Sequence, residues 1–564
     1  MSRFLRTIIY NKVIKPLPNI DNVYHQKMMS NLYLKFNNEI GEYTFTLFLK
    51  TKDYNVLNEI KDIDIDLKDT FDTVTINNTI ACFTISRDRY VKTILENNVS
   101  GVMPPLLVDN NKNIVVEFSS LNIAKPFHMG HLRSTIIGNC IANINSFLQN
   151  QVTKINYLGD WGTQFGCIYL GLQLNSIDIK MEKDPIETLY KVYVKTNSLI
   201  EEKPEVQNIA MKFFRKLELE GDNIIYENWQ TIKHITVQEL EKTYKRLGIS
   251  FDRYDWESMY TVKNMTSIIN RMKEMNLITL DGNKRTMVRV NKNKHVPILK
   301  SDGTSLYISR DIAAAIDRYE RNKFDAMYYV VDISQSAHFI SLIEILNAME
   351  LPWANRLKHV AFAKLCGMST RKGKVIFLKD VLNNAKKCMK SKQLLTSTTK
   401  VDSSDIDKTA DILATSGVII QDLKQNKLNS YSYDLQSMFQ INGDCGTKLQ
   451  YTHCRLCSLK NLCNNELVTE CDPSLLKEPA VDLLITMISQ FDEVVLKCYE
   501  QLEPCILTIY LFKLCKVINN AFNKLNINKA ERDIGNQRLL LFYVAKCVLA
   551  QGMKLLGLIP LKKM

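Results

Sequence analysis

The chain has 564 residues, 46% of them hydrophobic and 24% charged, with a net charge of +13. That length exceeds one hydrophobic core and calls for about two to four domains, and no uninterrupted apolar run of about 18 residues marks a membrane span, so no membrane partner is expected. The basic balance suits a polyanionic partner or an ordinary basic enzyme, and the 14 cysteines, with no secretory signal ahead of them, read as reduced thiols rather than a disulfide framework.

In chain order, the first twenty residues carry Arg3, Arg6, Lys12 and Lys15 among Phe4, Leu5, Ile8, Ile9, Val13 and Ile14, with no acid before Asp21. The segment reads either as a basic amphipathic transit peptide or as an ordinary first helix with a solvated basic face. Residues 1–105 predict a small α+β domain, with strands at Glu42 to Lys50 and Thr73 to Ser86, a helix from Asp88 to Asn97, and Pro104-Pro105 closing it.

Residues 106–390 predict an α/β domain. An apolar strand, Ile114 to Phe118, runs through a polar loop into His128-Met129-Gly130-His131, and apolar positions 132, 136, 137, 141, 144 and 148 then make a helical stripe. A second buried strand, Met327 to Ile333, leads into a helix from His338 to Met349, with a long, largely helical insertion at about 170–295 between the two units. Residues 391–405 read as a connector, and 406–564 as an all-helical bundle. Cys454 and Cys457 form a C-x-x-C inside a helical run without a second pair, so packing cysteines are expected there and no zinc.

Two histidines and a glycine at a helix N-terminus, past the carboxyl end of a strand, predict a phosphate-binding site, because free N–H groups and the helix dipole favour anions there. Gly130 allows a close approach of ligand to backbone. His128 and His131 can donate to phosphate oxygens, and Lys125 adds a fixed charge. A second basic loop runs from Gly367 to Gly373.

Glu117-Phe118-Ser119-Ser120, then Asn122 to His128, Gly130 and His131 to Thr135, closely resemble the His-Ile-Gly-His region of the arginyl-tRNA synthetases, which are class I aminoacyl-tRNA synthetases. Asn156 to Gly166, Ser301 to Asp311, the loop Gly367 to Gly373, Gly443 to Gly446 with Leu449 to Arg455, and the ending Gly552 to Met564 are similar to further segments of that family, in collinear order. The loop Gly367 to Gly373 and the ending look most like its mitochondrial branch. Leu121, Cys445 and Cys454 depart from the family pattern, and Leu121 is expected to loosen the loop that places Asn122, since proline would have fixed φ there.

The resemblance implies a Rossmann-like class I catalytic domain with a helical insertion, a small α+β N-terminal domain and an all-α anticodon-binding bundle. It implies an ATP-dependent arginine–tRNA ligase, the alternative being a non-catalytic tRNA-binding relative. By resemblance, Glu117, Asn122, Tyr307, Asp311 and Gln335 bind arginine, whose planar guanidinium is best matched by carboxylates. His128, Gly130, His131, His338 and Met368 bind ATP, while Lys125, His128, His131, Ser369, Arg371 and Lys372 stabilise charge during the reaction. Lys125 would substitute for the second lysine of the Lys-Met-Ser-Lys-Ser loop, where this chain has Thr370 and Arg371. Gln450, Tyr451 and Arg455 are the expected tRNA contacts. The implied ligands are tRNA(Arg), L-arginine and ATP with Mg2+. The implied protein is a monomer of the mitochondrial matrix, the cytoplasm being the alternative.

Overall fold

The computed structural model describes all residues except 1–2, 18–21, 40–41, 51–66, 68, 78–79, 110, 218–221, 261, 292, 302–304, 367–375, 397–399, 433–442 and 464. Near the N-terminus, strands β1 (Leu32–Glu39), β2 (Glu42–Lys50), β3 (Thr73–Asn77) and β4 (Ile80–Ser86) form an antiparallel sheet in the order β1-β2-β4-β3. The single strand expected from Thr73 to Ser86 is thus a hairpin. Alternation along β4 buries Ala81, Phe83 and Ile85 against Tyr90, Val91 and Ile94 of the helix Arg87–Glu96. Leu5, Ile9, Val13 and Ile14 of the first helical segment are fully buried in the same core.

The central domain is a five-stranded parallel sheet built from β5 (Asn113–Glu117), β6 (Gln151–Leu158), β7 (Arg253–Trp256), β11 (Ala326–Asp332) and β12 (Leu357–Phe362), in the order β12-β11-β5-β6-β7. Its central strands are apolar on both faces, as a sheet covered by helices requires (Val115, Val116, Met327 and Val330 are all buried). The first strand, β5, is central. Strand order therefore reverses between β5 and β11, which makes the gap beyond their carboxyl ends the place for a ligand.

β7 lies inside the stretch expected to be helical insertion. That stretch also holds an antiparallel sheet of β8 (Ile278–Leu280), β9 (Thr286–Arg289) and β10 (His295–Leu299). These strands are three to five residues long, too short for a clear alternation to show in the sequence. The rest of the insertion is helical, from Pro185–Glu202 through Asn223–Leu247.

The helix Leu378–Leu395 reaches into the expected connector, and helices from Ile406–Leu423 to Arg532–Leu555 form the bundle. Its helix Cys505–Lys524 has the length and hydropathy of a membrane span, yet Leu507, Leu511, Leu514, Cys515 and Ile518 pack into the bundle core. Two short parallel strands, β13 (Leu365–Cys366) and β14 (Tyr431–Ser432), stitch the α/β domain to the bundle. Beside them Arg133, 1% exposed, pairs with Asp422 at 3.1 Å and donates to the carbonyls of Ala363 and Asn429 at 2.6 and 3.0 Å.

Candidate active site

β5 ends at Glu117, and the loop that follows turns through three non-glycine residues with left-handed backbone, Ser119, Ser120 and Ala124. Such positions persist only where surroundings enforce them. Here the Ser134 hydroxyl accepts from the Ser119 N–H at 2.9 Å, Asn156 accepts from the Ser120 N–H at 3.0 Å, and Thr236 accepts from the Ala124 N–H at 3.2 Å. Tyr244 bonds both Ser119 and Asn156 from the insertion helix. Leu121 does not loosen this loop. It is buried, and its carbonyl accepts the Gly159 N–H at 3.0 Å. Polar side chains do here what a proline ring would do through φ.

Asn122 is exposed at the rim, its amide donating to Gln164 at 3.3 Å. A Cβ on Gly159 would stand 2.2 Å from the Asn122 amide oxygen, so the segment after β6 must carry glycine there for Asn122 to lie against it.

His128 caps the helix Met129–Phe147. Its Nδ1 accepts the Gly130 N–H at 3.0 Å, and His131 Nδ1 faces the His128 N–H at 3.4 Å. Each ring therefore keeps its proton on Nε2, turned away from the helix as a donor. The rings stack with centroids 3.6 Å apart. Burial, with Lys125 nearby, lowers the His128 pKa to about 4, and burial with His128 beside it takes His131 well below the ordinary value. Both are neutral donors at pH 7. Gly130 serves His128 first, since a Cβ would meet that ring at 2.8 Å.

The expected arginine residues gather at the switch point. Glu117 is 4% exposed and takes Arg318 Nη1 at 2.5 Å. Burial pushes its carboxyl up to about 7 against the pull of Arg318, with Asp311 and Asp255 adding like charge. Asp311 and Tyr307 lie one turn apart on the helix Tyr307–Asn322, and Tyr307 is 67% exposed. Asp311 accepts from His338 Nε2 at 2.6 Å, which joins two residues that the resemblance assigned to different substrates. Gln335 is exposed in the turn Ile333–Gln335 after β11.

Glu257 was missed in the sequence. It follows β7, and burial, with Asp311 and Asp160 nearby, pushes its carboxyl up to about 7 against the pull of Arg310. Only the placement of β7 at the sheet edge brings it to the site, and no local pattern announces it.

Lys125 makes no ion pair among the described residues. It is half-buried with Nζ 5.1 Å from the centre of the Tyr193 ring, and desolvation lowers its pKa. Met368, Ser369, Arg371 and Lys372 fall outside the described residues.

Of the expected tRNA contacts, Tyr451 is 44% exposed, while Arg455 donates to Asn519 at 2.8 Å and lies over Phe522. Gln450 is a correction. It is fully buried, donating to the Ser416 hydroxyl at 2.9 Å and the Ile559 carbonyl at 2.8 Å, and accepting the Leu561 N–H at 2.9 Å. Its amide locks the C-terminal tail onto the bundle and has nothing left for RNA. Cys454 likewise donates to the Leu561 carbonyl at 3.2 Å.

The family model for tRNA synthetases class I (R), catalytic domain, matches residues 91–435, and that for the DALR anticodon binding domain matches residues 449–564. A Mus musculus protein named "Probable arginine--tRNA ligase, mitochondrial" is 38% identical over 86% of this chain and 85% of its own length. The cytoplasmic arginine–tRNA ligase of Saccharomyces cerevisiae is 37% identical over 80% and 77%. Thermus thermophilus arginyl-tRNA synthetase shares the fold at TM-score 0.80 and 18% identity, covering 100% of both chains. The chain belongs to the arginine–tRNA ligases, class I enzymes that use ATP to join arginine to tRNA(Arg).

Proposed function

We propose that the two ends of arginine are held by the carboxylates that the switch point brings together, Glu117 taking the α-ammonium with Asn122 and Gln335. Asp311, Glu257 and Tyr307 take the guanidinium. The observation that carries this is a gathering of acids, buried Glu117 at the end of β5 and partly buried Glu257 after β7, both raised to about 7 by desolvation and by the charge of Asp311. Such a cluster is relieved by a bound cation. Lysine is rejected because one ammonium cannot satisfy the acceptors that a planar fork would.

ATP lies over the neutral pair His128 and His131, whose Nε2 hydrogens face developing charge on the phosphates. Gly130 keeps that surface clear, His338 borders it, and Met368 of the 367–373 loop completes it. Lys125 leaves the Tyr193 ring for the phosphates, joined by Ser369, Arg371 and Lys372. No general base is required, since in-line positioning and charge stabilisation suffice for adenylation. Mg2+ enters on the nucleotide, because it keeps several waters and binds chiefly through phosphates. On tRNA, Tyr451 is an exposed aromatic of the bundle and Arg455 stands beside it.

The protein acts as a monomer in the mitochondrial matrix, a placement supported by its basic amphipathic N-terminus. The cytoplasm is the second reading, favoured by the burial of Leu5, Ile9, Val13 and Ile14 in the folded body. A reporter carrying residues 1–30 decides between them: import supports the matrix, and a diffuse cytosolic signal supports the cytoplasm. For the site, arginine charging of tRNA(Arg) falls at least about a hundredfold in His128→Ala, which loses a charge-stabilising donor, and in Asp311→Ala, which loses an acceptor for the guanidinium. Variants that charge tRNA at the native rate overturn the assignment.

A further inference from the structure

The helix Tyr307–Asn322 carries Tyr307, Asp311 and Arg318 at spacings of four and seven, so all three lie along one face. The first two stand at the open end of the sheet. Arg318, two turns deeper, is 1% exposed and reaches Glu117, which leaves β5 from the sheet's centre. One rigid element thereby touches both ends of the arginine pocket.

We propose that Arg318 is the positioning residue for Glu117, fixing the carboxylate that receives the α-ammonium of arginine. This rests on Glu117 being an arginine ligand. Arg318 is itself held from three sides: its Nε donates to Asp255 at 3.0 Å, its Nη1 donates to Glu117 at 2.5 Å, and its guanidinium lies 4.6 Å from the centre of the Tyr157 ring. Asp255, fully buried, also pairs with Arg321 at 3.3 Å and with Arg253 at 3.3 Å.

The consequence for Glu117 is directional. Arg318 takes Oε2 and the Ser120 hydroxyl donates to Oε1 at 3.3 Å, which holds the carboxylate from both oxygens and leaves lone pairs for a substrate donor. An ammonium needs only one remaining lone pair on an anionic oxygen. The groups facing Glu117 are Arg318 and Asp311 from this helix, Asp255 from β7 and Ser120 from the loop. Its charge also acts on Tyr157 of β6 and Tyr329 of β11. Among these Arg318 is the one cation, so without it the carboxylate has no fixed orientation and no compensating charge.

The test is arginine-dependent ATP–pyrophosphate exchange with tRNA(Arg) present, in Arg318→Lys, Arg318→Met, Glu117→Gln and the double variant Glu117→Gln/Arg318→Met. The inference expects KM for arginine to rise about tenfold or more in each Arg318 variant while KM for ATP stays within about twofold. Lysine should perform better than methionine. In the double variant KM should equal that of Glu117→Gln alone, because Arg318 acts through Glu117. A purely structural role would instead make the losses add and would move both KM values. If Arg318→Met does not fold, the lysine and double variants still decide the matter, the latter having lost the stranded acid. A native KM in Arg318→Lys and an additive double variant overturn the inference alone. A native KM for arginine in Glu117→Gln overturns the reading of Glu117, and the inference falls with it.

Discussion

Neutral histidines make good donors to a phosphate that gains charge during the reaction, because they ask for no compensating anion when the site is empty. The capping arrangement at His128 and His131 secures this state geometrically, since each Nδ1 faces a backbone N–H. Gly130→Ala forces the His128 ring aside by placing a Cβ at 2.8 Å from it. Pyrophosphate exchange should fall about tenfold or more while the melting temperature changes little, and an unchanged rate would remove Gly130 from this role. The acids lead to a second expectation. Glu117 and Glu257 are raised to about 7 in the free protein. As raised carboxyls, they contribute stability that is present below their unfolded pKa and lost as pH rises through about 7. Bound arginine stabilises their charged forms, so binding releases protons at pH 6.5 and affinity falls as pH drops below 7. Calorimetry in phosphate and Tris, which differ in ionisation enthalpy, reads the release directly; identical heats in both would refute it. The sequence showed Glu117, Asn122 and the histidines because they lie within fifteen residues of one another. Glu257 and Arg318 were hidden because each reaches the site through sheet order and helix phase, neither of which a local pattern encodes.

Among the elements, those with long and regular hydrophobic spacing were readable. The strand β2 and the helices after β5 and β11 fall within three residues of expectation. The short strands β7 to β10 were not, since a strand of three to five residues offers one or two periods at most. Gln450 misled for another reason: an amide in a helix next to an exposed tyrosine looks available until the C-terminal tail folds over it. The first helix Arg3–Ile9 is likewise more than a charged leader in pattern. Arg6, 1% exposed, pairs with Glu493 at 2.8 Å, and that carboxylate also accepts the Leu34 N–H at 2.9 Å. Arg6→Met should cost about 2 kcal/mol, less than for a fully buried pair because Glu493 keeps some exposure. Thermal unfolding measures this, and a native melting curve would show the pair to be idle.

On the scale of the whole molecule, the bundle offers a groove of about 710 Å³ rimmed by Lys400, Lys546, Lys554, Lys562 and Lys563. A surface with this density of one charge draws a phosphate backbone through counterion release. Lys546→Glu with Lys554→Glu should raise KM for tRNA about tenfold and flatten its salt dependence, leaving KM for ATP unchanged. A salt slope equal to the native one would place the RNA elsewhere. The α-helical bundle does not stand apart from the rest, as Arg133 and Asp422 tie it to the histidine helix.

The pairing of Arg6 with Glu493 has a bearing on the order in which the chain can fold. The two residues are separated by 487 positions. At a synthesis rate of about 5–20 residues per second, the first helix waits roughly 25 to 100 s for its acceptor. Arg87 and Glu96 wait similarly for Asp482 and for the Cys471 N–H. The helix Arg3–Ile9 is therefore made long before the acceptor it pairs with, and this contact is among the later ones to form.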